Sequence, residues 1–191
     1  MTEKVSWKGS TQLAPVPAVL IGCGDNIHYR YNLITVAWIG TVCSEPPQLS
    51  ISIRKERYSY GAIDTIGDFT VNLPGADMVE KLDFCGVVSG RSVDKFSRCG
   101  FTPAAAEKVN APLIAEAPLV LECRVNQKLE LGSHDMFIAD ILNIQAAKSL
   151  LDADGRLDIV KADLISYAHG AYFRLGDMLG KFGFSVRRRK E

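Results

Sequence analysis

Two stretches of the sequence carry residue types that can perform chemistry. The first runs from Asn32 to Ser44 and places an amide, hydroxyls, an indole and a thiol in an otherwise apolar segment, with Pro46-Pro47 behind it. The second, Ser89-Gly90-Arg91-Ser92-Val93-Asp94-Lys95-Phe96, is predicted to be a compact polar loop that carries two cations. The amide and hydroxyls offer hydrogen bonds, the indole offers a rigid apolar surface, and the cations offer positive charge.

Familiar catalytic and nucleotide-binding motifs are missing or incomplete. Gly22-Cys23-Gly24 follows a short apolar run, but Ile27 stands where a dinucleotide fingerprint needs its third glycine, and no strand-helix-strand unit follows. Asp152-Ala153-Asp154-Gly155 opens like a calcium loop, but Leu157 occupies the required glycine position, so we interpret it as a turn. No Walker sequence, G-x-S-x-G or H-E-x-x-H occurs, and the three histidines are dispersed. We predict no metal site.

Composition narrows the class of protein further. The 191 residues are 47% apolar and carry 22 basic and 22 acidic side chains, which fits one globular domain and argues against nucleic-acid binding. The basic cluster Arg187–Lys190 is interpreted as a solvated tail, with contact to nucleic acid or an acidic partner as the weaker alternative. No apolar run reaches the roughly 20 residues of a membrane helix. The polar N-terminus and five scattered cysteines, without a C-x-x-C pair, favour a cytoplasmic protein with free thiols.

The elements that must position the two polar stretches can be predicted from hydrophobic pattern. Strands are expected at 18–24, 33–42, 49–54, 69–73, 119–131 and 136–144, the last two joined near Gly132-Ser133-His134-Asp135. Helices are expected at 59–66 and 77–84, an irregular connection at 107–117, and a turn at Asp154-Gly155. Many short strands without regular strand-helix alternation predict a mainly β fold with helical additions, a β-barrel rather than a doubly wound sheet.

In this order and spacing the chain resembles the flavin reductase-like family, and within it the flavoredoxin type. The matching segments are Asn32–Ser44 with the prolines behind it, 49–59, Phe69-Thr70-Val71-Asn72-Leu73-Pro74, 85–96, Ala111-Pro112-Leu113-Ile114, Gly132-Ser133-His134-Asp135 and Gly180-Lys181-Phe182-Gly183-Phe184-Ser185. Each segment alone is weak, and together they span nearly the whole chain.

The resemblance implies an FMN-binding split β-barrel, one domain over residues 1–191, that works as a homodimer and passes electrons through bound FMN. It places Asn32, Thr35, Trp38 and Cys43 along the isoalloxazine. It places the ribityl-phosphate near Ser52, Arg54, Lys55, Tyr58 and Ser59, and it also brings Lys95, His134 and Tyr167 close to the cofactor. Tyr167 stands where an aromatic residue is expected, so stacking is retained and any role of its hydroxyl is left open.

The chemistry of FMN agrees with these residue types. A dianionic phosphate, a polyhydroxyl chain and a planar ring need cations, hydroxyls and an apolar slot. Arg54 and Lys55 end a predicted strand, and Tyr58-Ser59 open a predicted helix whose N-terminal amides favour a phosphate. A cation or donor near N1 of the flavin stabilises its anionic reduced form, and Lys95 or His134 is the candidate.

Simpler interpretations stand beside these. Without the family pattern, Trp38 in an apolar run is more often a core residue, and Cys43 a small buried one. Lys95 and Arg91 fit surface charges equally well, and His134 fits a hairpin cap. For Cys43 the two interpretations are evenly balanced, and we assign it no redox step.

Three functions follow from the resemblance and stay open at this stage. The first is an oxidoreductase that passes electrons through bound FMN, taking them from NAD(P)H or from a redox protein partner. The second is an NAD(P)H:flavin oxidoreductase that supplies diffusible flavin to a separate oxygenase. The third is a non-catalytic flavin-binding module. No side chain is predicted to act as a general acid or base, and neither nucleic acid nor membrane is expected as a partner.

Overall fold

The computed structural model of the chain describes residues 2–186, and the basic cluster at 187–190 lies outside them. The described part forms twelve strands and three α-helices. The strands are β1 (Val16–Pro17), β2 (Val19–Cys23), β3 (Asn32–Val36), β4 (Ile39–Ser44), β5 (Pro47–Ile53), β6 (Asp68–Leu73), β7 (Pro103–Ala104), β8 (Leu113–Ile114), β9 (Leu119–Glu130), β10 (Asp135–Ala146), β11 (Ile165–Ala168) and β12 (Ala171–Arg174). The helices are α1 (Tyr58–Ile66), α2 (Val79–Val87) and α3 (Lys95–Cys99).

Seven of the strands form one antiparallel sheet in the order β3-β2-β6-β9-β10-β5-β4. The two edge strands, β3 and β4, follow each other in the chain and are joined only by Ala37 and Trp38. A flat sheet of this width would separate its edges by about 29 Å. The three Cα steps from Val36 to Ile39 span at most about 11 Å. The sheet must therefore curl until its edges nearly meet, which confirms the predicted split barrel and puts Trp38 at the split.

The curled sheet is packed on both sides. Inside the barrel lies a cluster that includes Ile21, Ile51, Phe69 and Phe137, with Ile63 of α1 closing one end. Outside, α2 and α3 cover a second cluster. Strand β2 is buried at all five positions because alternate residues face the two clusters. This explains why its sequence shows a continuous apolar run rather than alternation.

Most predicted elements are confirmed within a few residues, and two predictions are wrong. The expected strand at 33–42 is broken at Ala37-Trp38, where the chain leaves one edge of the sheet and enters the other. The polar segment that begins at Ser89 does not stay a loop, because α3 starts at Lys95. Asp94 caps this short helix by accepting a hydrogen bond from the Ser97 amide at 3.2 Å. The predicted turn at Asp154-Gly155 is present, with Gly155 at φ 76°.

After the barrel, the chain forms a hairpin and an extended arm. β11 pairs with β1 and with β12, a hairpin that the sequence pattern did not predict. Beyond β12, the side chains of Leu179 and Phe182 are 95% and 104% exposed, so this arm buries little against its own barrel. The described helices are too short and too polar to cross a membrane.

Candidate functional site

A cavity of about 390 Å³ opens at the split of the barrel, and we call it the corner cavity. It collects six residues singled out from sequence: Thr35, Trp38, Ser52, Arg54, His134 and Tyr167. The sheet explains this collection, because the end of β3, the link to β4 and the end of β5 all reach the same corner. Its size is within the range of cofactor-binding cavities, about 300–1,000 Å³.

Backbone pairing fixes the corner. The Ser52 amide donates a hydrogen bond to the Trp38 carbonyl at 2.9 Å, which ties the link between the sheet edges to β5. Ser52 faces away from the barrel interior, because its neighbours Ile51 and Ile53 point into the core. Trp38 is 37% exposed, so part of its indole surface is available to a ligand. Tyr167 adds a second aromatic ring to the wall and packs against Tyr172, with ring centroids 5.6 Å apart.

The corner cavity is electropositive. Arg54 and Arg57 line it, and within residues 2–186 neither forms an ion pair with a buried carboxylate; Arg54 lies 3.7 Å from the exposed Glu56. Burial, with Arg54 adding to it, lowers the pKa of His134. His134 is therefore neutral at pH 7 and acts as a hydrogen-bonding group rather than as a cation. Its Nδ1 lies 2.9 Å from the Ser133 hydroxyl, which leaves Nε2 for other partners.

Helix α1 begins next to this cavity. Arg57 is its N-cap residue, and no side chain caps the first turn. The amides at the start of a helix lack intrahelical partners and carry partial positive charge. Arg57 and these amides together form a position suited to a phosphate or another anion.

A narrow cleft of about 10 Å³ continues from the start of α1, and it contains Asn32, Tyr58, Ser59 and Lys95. Asn32 is buried, and its Nδ2 donates to the Ser59 hydroxyl at 2.7 Å. Gly90 lies directly against this amide, because a Cβ at Gly90 would meet the Asn32 Oδ1 at 2.2 Å. Ile34 and Arg57 line both the cleft and the corner cavity, so the two spaces adjoin.

The loop that carries Gly90 is held from two sides. Arg30 Nη2 donates to the Gly90 carbonyl at 2.6 Å, and Arg91 Nη1 donates to the Glu56 carbonyl at 2.8 Å. The second cation of this segment, Lys95, is buried, and its ammonium donates to the carbonyls of Leu33 and Cys85, each at 2.7 Å. Burial lowers the pKa of Lys95. One of its three N–H groups remains for another partner.

Thr35 is in the cavity wall, but its hydroxyl donates to the Leu82 carbonyl on α2. Two predicted site residues lie outside both spaces. Cys43 is on β4, and its thiol donates to the Glu45 carbonyl at 3.3 Å. Lys55 has its ammonium 3.4 Å from a carboxylate oxygen of Glu130 and 3.4 Å from one of Asp135.

The Asp135 partner of Lys55 is completely buried. The Tyr60 hydroxyl, which donates at 2.6 Å, and the Lys55 ammonium together lower the pKa of Asp135. Because two carboxylates surround one ammonium, Lys55 carries little free positive charge toward the corner cavity.

Arg57 was not predicted from the sequence. It lines both spaces and is the cation nearest to the start of α1. The available signal was its place directly before Tyr58-Ser59, since the residue before a helix is at its anion-binding end. The residues after β5 favoured Lys55 as the phosphate-binding cation instead. In the structure its ammonium lies near the carboxylates of Glu130 and Asp135.

Known proteins with a similar sequence or structure bear on this geometry. The family model described as "Flavin reductase like domain" matches residues 11–175. Flavoredoxin of Desulfovibrio vulgaris (Miyazaki F) is 34% identical, with a TM-score of 0.89 over 97% of this chain and 100% of that one. Flavoredoxin from Methanosarcina acetivorans is 31% identical, with a TM-score of 0.87 over the same shares. A Pseudomonas syringae pv. syringae protein named FMN reductase (NADH) RutF is 26% identical over 58% of this chain and 60% of its own length.

Proposed function

Because the chain belongs to the flavin reductase-like domain family, we propose that its corner cavity binds FMN and that the protein is an oxidoreductase that transfers electrons through this flavin. The observation that carries the proposal is the composition of the cavity. Trp38 offers an apolar face to this cavity, while Arg54, Arg57 and the uncapped start of α1 offer positive charge. FMN matches this composition, because its planar ring needs an apolar surface and its phosphate needs positive charge.

Different residues of the chain bind the phosphate, the ribityl chain and the ring of this cofactor. Arg57 and the first amides of α1 bind the phosphate, and Ser52 hydrogen-bonds the ribityl chain. Trp38 and Tyr167 hold the ring between aromatic surfaces. His134, which is neutral at pH 7 because its pKa is lowered, donates one hydrogen bond to the polar edge of the ring. Bound FMN supplies the redox chemistry itself, and the protein contributes orientation and electrostatics.

The test of FMN binding is a fluorescence titration of flavin-free protein. The Arg57→Ala variant loses a charge-assisted contact and should bind FMN about 10- to 100-fold more weakly. The Trp38→Ala variant should bind FMN about 5- to 100-fold more weakly, since stacking of a heterocyclic base on an aromatic side chain is worth roughly 1–3 kcal/mol. Lys55→Ala is the matched control, because its ammonium is engaged by Glu130 and Asp135, and it should change the affinity less than threefold. Unchanged affinity in both cavity variants would refute this site.

The electron donor is tested anaerobically in the loaded protein. The two visible flavin bands should bleach when NADH or NADPH is added if a nicotinamide nucleotide is the donor. Bands that persist with both nucleotides would point to a redox protein partner, as in an electron carrier. The described residues carry no dinucleotide fingerprint, so this experiment decides between the two donors.

A second candidate is a reductase that uses flavin as a diffusible substrate. The relative named FMN reductase (NADH) favours it, and so does the 54% exposure of the Arg54 side chain at the cavity. Gel filtration of the FMN-loaded protein separates the two proposals. A tightly held cofactor stays with the protein peak, whereas a diffusible substrate elutes with the salt.

We further propose that the chain acts as a single FMN-binding domain and forms a homodimer. The apolar arm that follows β12 supports a dimer, because Leu179 and Phe182 are almost completely exposed in the single chain. Apolar side chains of this size gain free energy when a neighbouring protomer covers them.

A further inference from the structure

A second cavity of about 390 Å³ lies beside the corner cavity, on the other side of Trp38, and we call it the side cavity. Its walls are Leu13 of the N-terminal arm, Val16 of β1, Ile39 and Gly40 of β4, and Met136 of β10. Ala37, Trp38 and Ser52 line both cavities. A molecule in the side cavity would therefore contact three residues that also line the corner cavity.

The two cavities differ in charge. The corner cavity has two arginines and a histidine, whereas no ionisable side chain of the described residues lines the side cavity. Most of its wall is aliphatic or aromatic. A charged group placed there would lose its hydration without a compensating partner, which costs several kcal/mol. The side cavity is thus suited to an uncharged molecule, and it is a poor site for the pyrophosphate of a dinucleotide.

Three hydroxyls, those of Thr11, Ser50 and Ser52, give this largely apolar cavity polar positions. Ser50 and Ser52 lie on the same face of β5, since both alternate with the core residues Ile51 and Ile53. Among the described residues neither hydroxyl forms a hydrogen bond to protein, and the Ser50 side chain is nearly buried. An unused hydroxyl at the wall of an apolar cavity favours a ligand that has a hydrogen-bond acceptor.

We propose that the side cavity binds a small, uncharged, apolar carbonyl compound, with its oxygen accepting a hydrogen bond from the Ser50 hydroxyl. The binding follows from the side cavity alone. Its role, that of a second reactant beside the flavin, rests on the proposed function of the corner cavity.

Gly40 provides a direct way to block the side cavity. Gly40 pairs with Ser50 across the β4–β5 ladder, so a side chain at position 40 projects on the same face as the Ser50 hydroxyl. A Cβ built there meets no atom within 4 Å, and the backbone of Gly40 is not in the left-handed region. The Cβ of a Gly40→Leu variant therefore fits without a clash, and the rest of the side chain extends into space that the ligand would occupy. Gly176 has the same free space and lies in the exposed arm, so Gly176→Leu is the matched control.

The experiment is a ligand-observed NMR titration of the full-length protein, both flavin-free and loaded with FMN, using acetophenone as the probe. Benzoate has nearly the same shape but a negative charge, and ethylbenzene lacks the carbonyl. We expect acetophenone to bind at least tenfold more tightly than benzoate. Gly40→Leu should weaken acetophenone binding at least tenfold, while Gly176→Leu should leave it unchanged. Ser50→Ala should weaken acetophenone about three- to tenfold and leave ethylbenzene unaffected.

Each result decides the proposal. No acetophenone binding to either form, equal affinity for benzoate, or unchanged affinity in Gly40→Leu would overturn it. Acetophenone binding that disappears with Gly40→Leu, in a protein that does not bind FMN, would support the side cavity and refute the proposed function of the corner cavity. FMN binding without acetophenone binding would refute only the side cavity.

Discussion

Lys95 shows at the scale of one residue how the same side chain fits two roles. From sequence it is a candidate donor to a flavin. In the structure its ammonium is buried between α2 and β3, and it donates to the carbonyls of Cys85 and Leu33. A buried ammonium with two carbonyl partners joins the helix to the sheet edge that carries Asn32 and Thr35. Lys95 therefore positions site residues whether or not its third N–H contacts a cofactor.

We predict that Lys95→Met, which keeps the length of the side chain and removes the charge, lowers the free energy of unfolding by about 2 kcal/mol at pH 7. The pH dependence has a defined sign. Burial lowers the pKa of Lys95 below its usual 10.5, so between the folded and unfolded pKa values the unfolded chain binds more protons. The stability that wild type gains over the variant should therefore increase as the pH rises through that window.

Urea unfolding of both proteins from pH 7 to about pH 10 measures this difference. The exposed Lys8 provides the control, because Lys8→Met should change neither the stability nor its pH dependence. If Lys95→Met keeps wild-type stability but loses FMN affinity, the ammonium serves the cofactor and not the packing of α2.

The sequence indicated which residues lie near the corner cavity better than it indicated which partners their side chains contact. Trp38, Ser52, Arg54, His134 and Tyr167 reach one cavity as the family pattern implies. Whether an ammonium is free or engaged depends on carboxylates and carbonyls that are distant in sequence. Asp135, which forms an ion pair with Lys55, is 80 positions away along the chain, so no local sequence pattern predicts that pair. Arg57, only two residues from Lys55, was missed for a different reason: its place directly before the start of α1 is a local signal that was not used.

At the scale of elements, the loop between α2 and α3 closes the narrow cleft. It does so because Gly90 has no side chain, which allows the backbone to lie against the Asn32 amide. Asn32 in turn is held by the Ser59 hydroxyl at the start of α1. Strand β3, the start of α1 and the loop between α2 and α3 therefore meet at the Asn32 side chain.

We predict that Gly90→Ala disrupts this contact. The new Cβ would be 2.2 Å from the Asn32 Oδ1, so the loop or the amide must move, at a cost of about 1–3 kcal/mol. The melting temperature should decrease by about 3–10 °C, and the FMN affinity should decrease at least about tenfold. Thermal unfolding and the FMN titration measure both effects.

Gly176→Ala controls for the change in backbone entropy, since its Cβ meets nothing within 4 Å. A Gly90→Ala protein with unchanged stability and unchanged FMN affinity would show that the cleft does not matter to the site.

The strands differ in how well the hydrophobic pattern of the sequence predicts them. β2, β5, β6, β9 and β10 were found because their apolar residues are continuous or alternate with period two. The break at Ala37-Trp38 was not found, since Ile34, Val36, Trp38 and Ile39 continue an apolar run across it. Only closure of the sheet requires the chain to turn there, and closure is a property of the whole barrel. The short α3 was missed because five residues give too little periodicity.

At the scale of the whole molecule, the split barrel places two chemically different cavities on either side of one short link. The charged corner cavity and the apolar side cavity share Trp38 and Ser52. Such an arrangement lets an anionic cofactor and an uncharged reactant lie next to each other, while the charged groups Arg54 and Arg57 line only the cofactor's cavity. The fold class follows from sequence, whereas this adjacency follows only from bringing β3 and β4 together.

The last prediction concerns assembly. Leu179 and Phe182 are 95% and 104% exposed, and each would gain about 1.5–3 kcal/mol if a second protomer covered it. In a symmetric dimer each gain counts twice, so replacing both residues by serine should raise the dimer dissociation constant at least about hundredfold. Sedimentation velocity over a range of protein concentrations measures that constant. Ile27→Ser, at a position that is 83% exposed in the loop before β3, should leave it unchanged. A monomeric wild type, or a double variant that dimerises as wild type does, would show that the arm has another purpose.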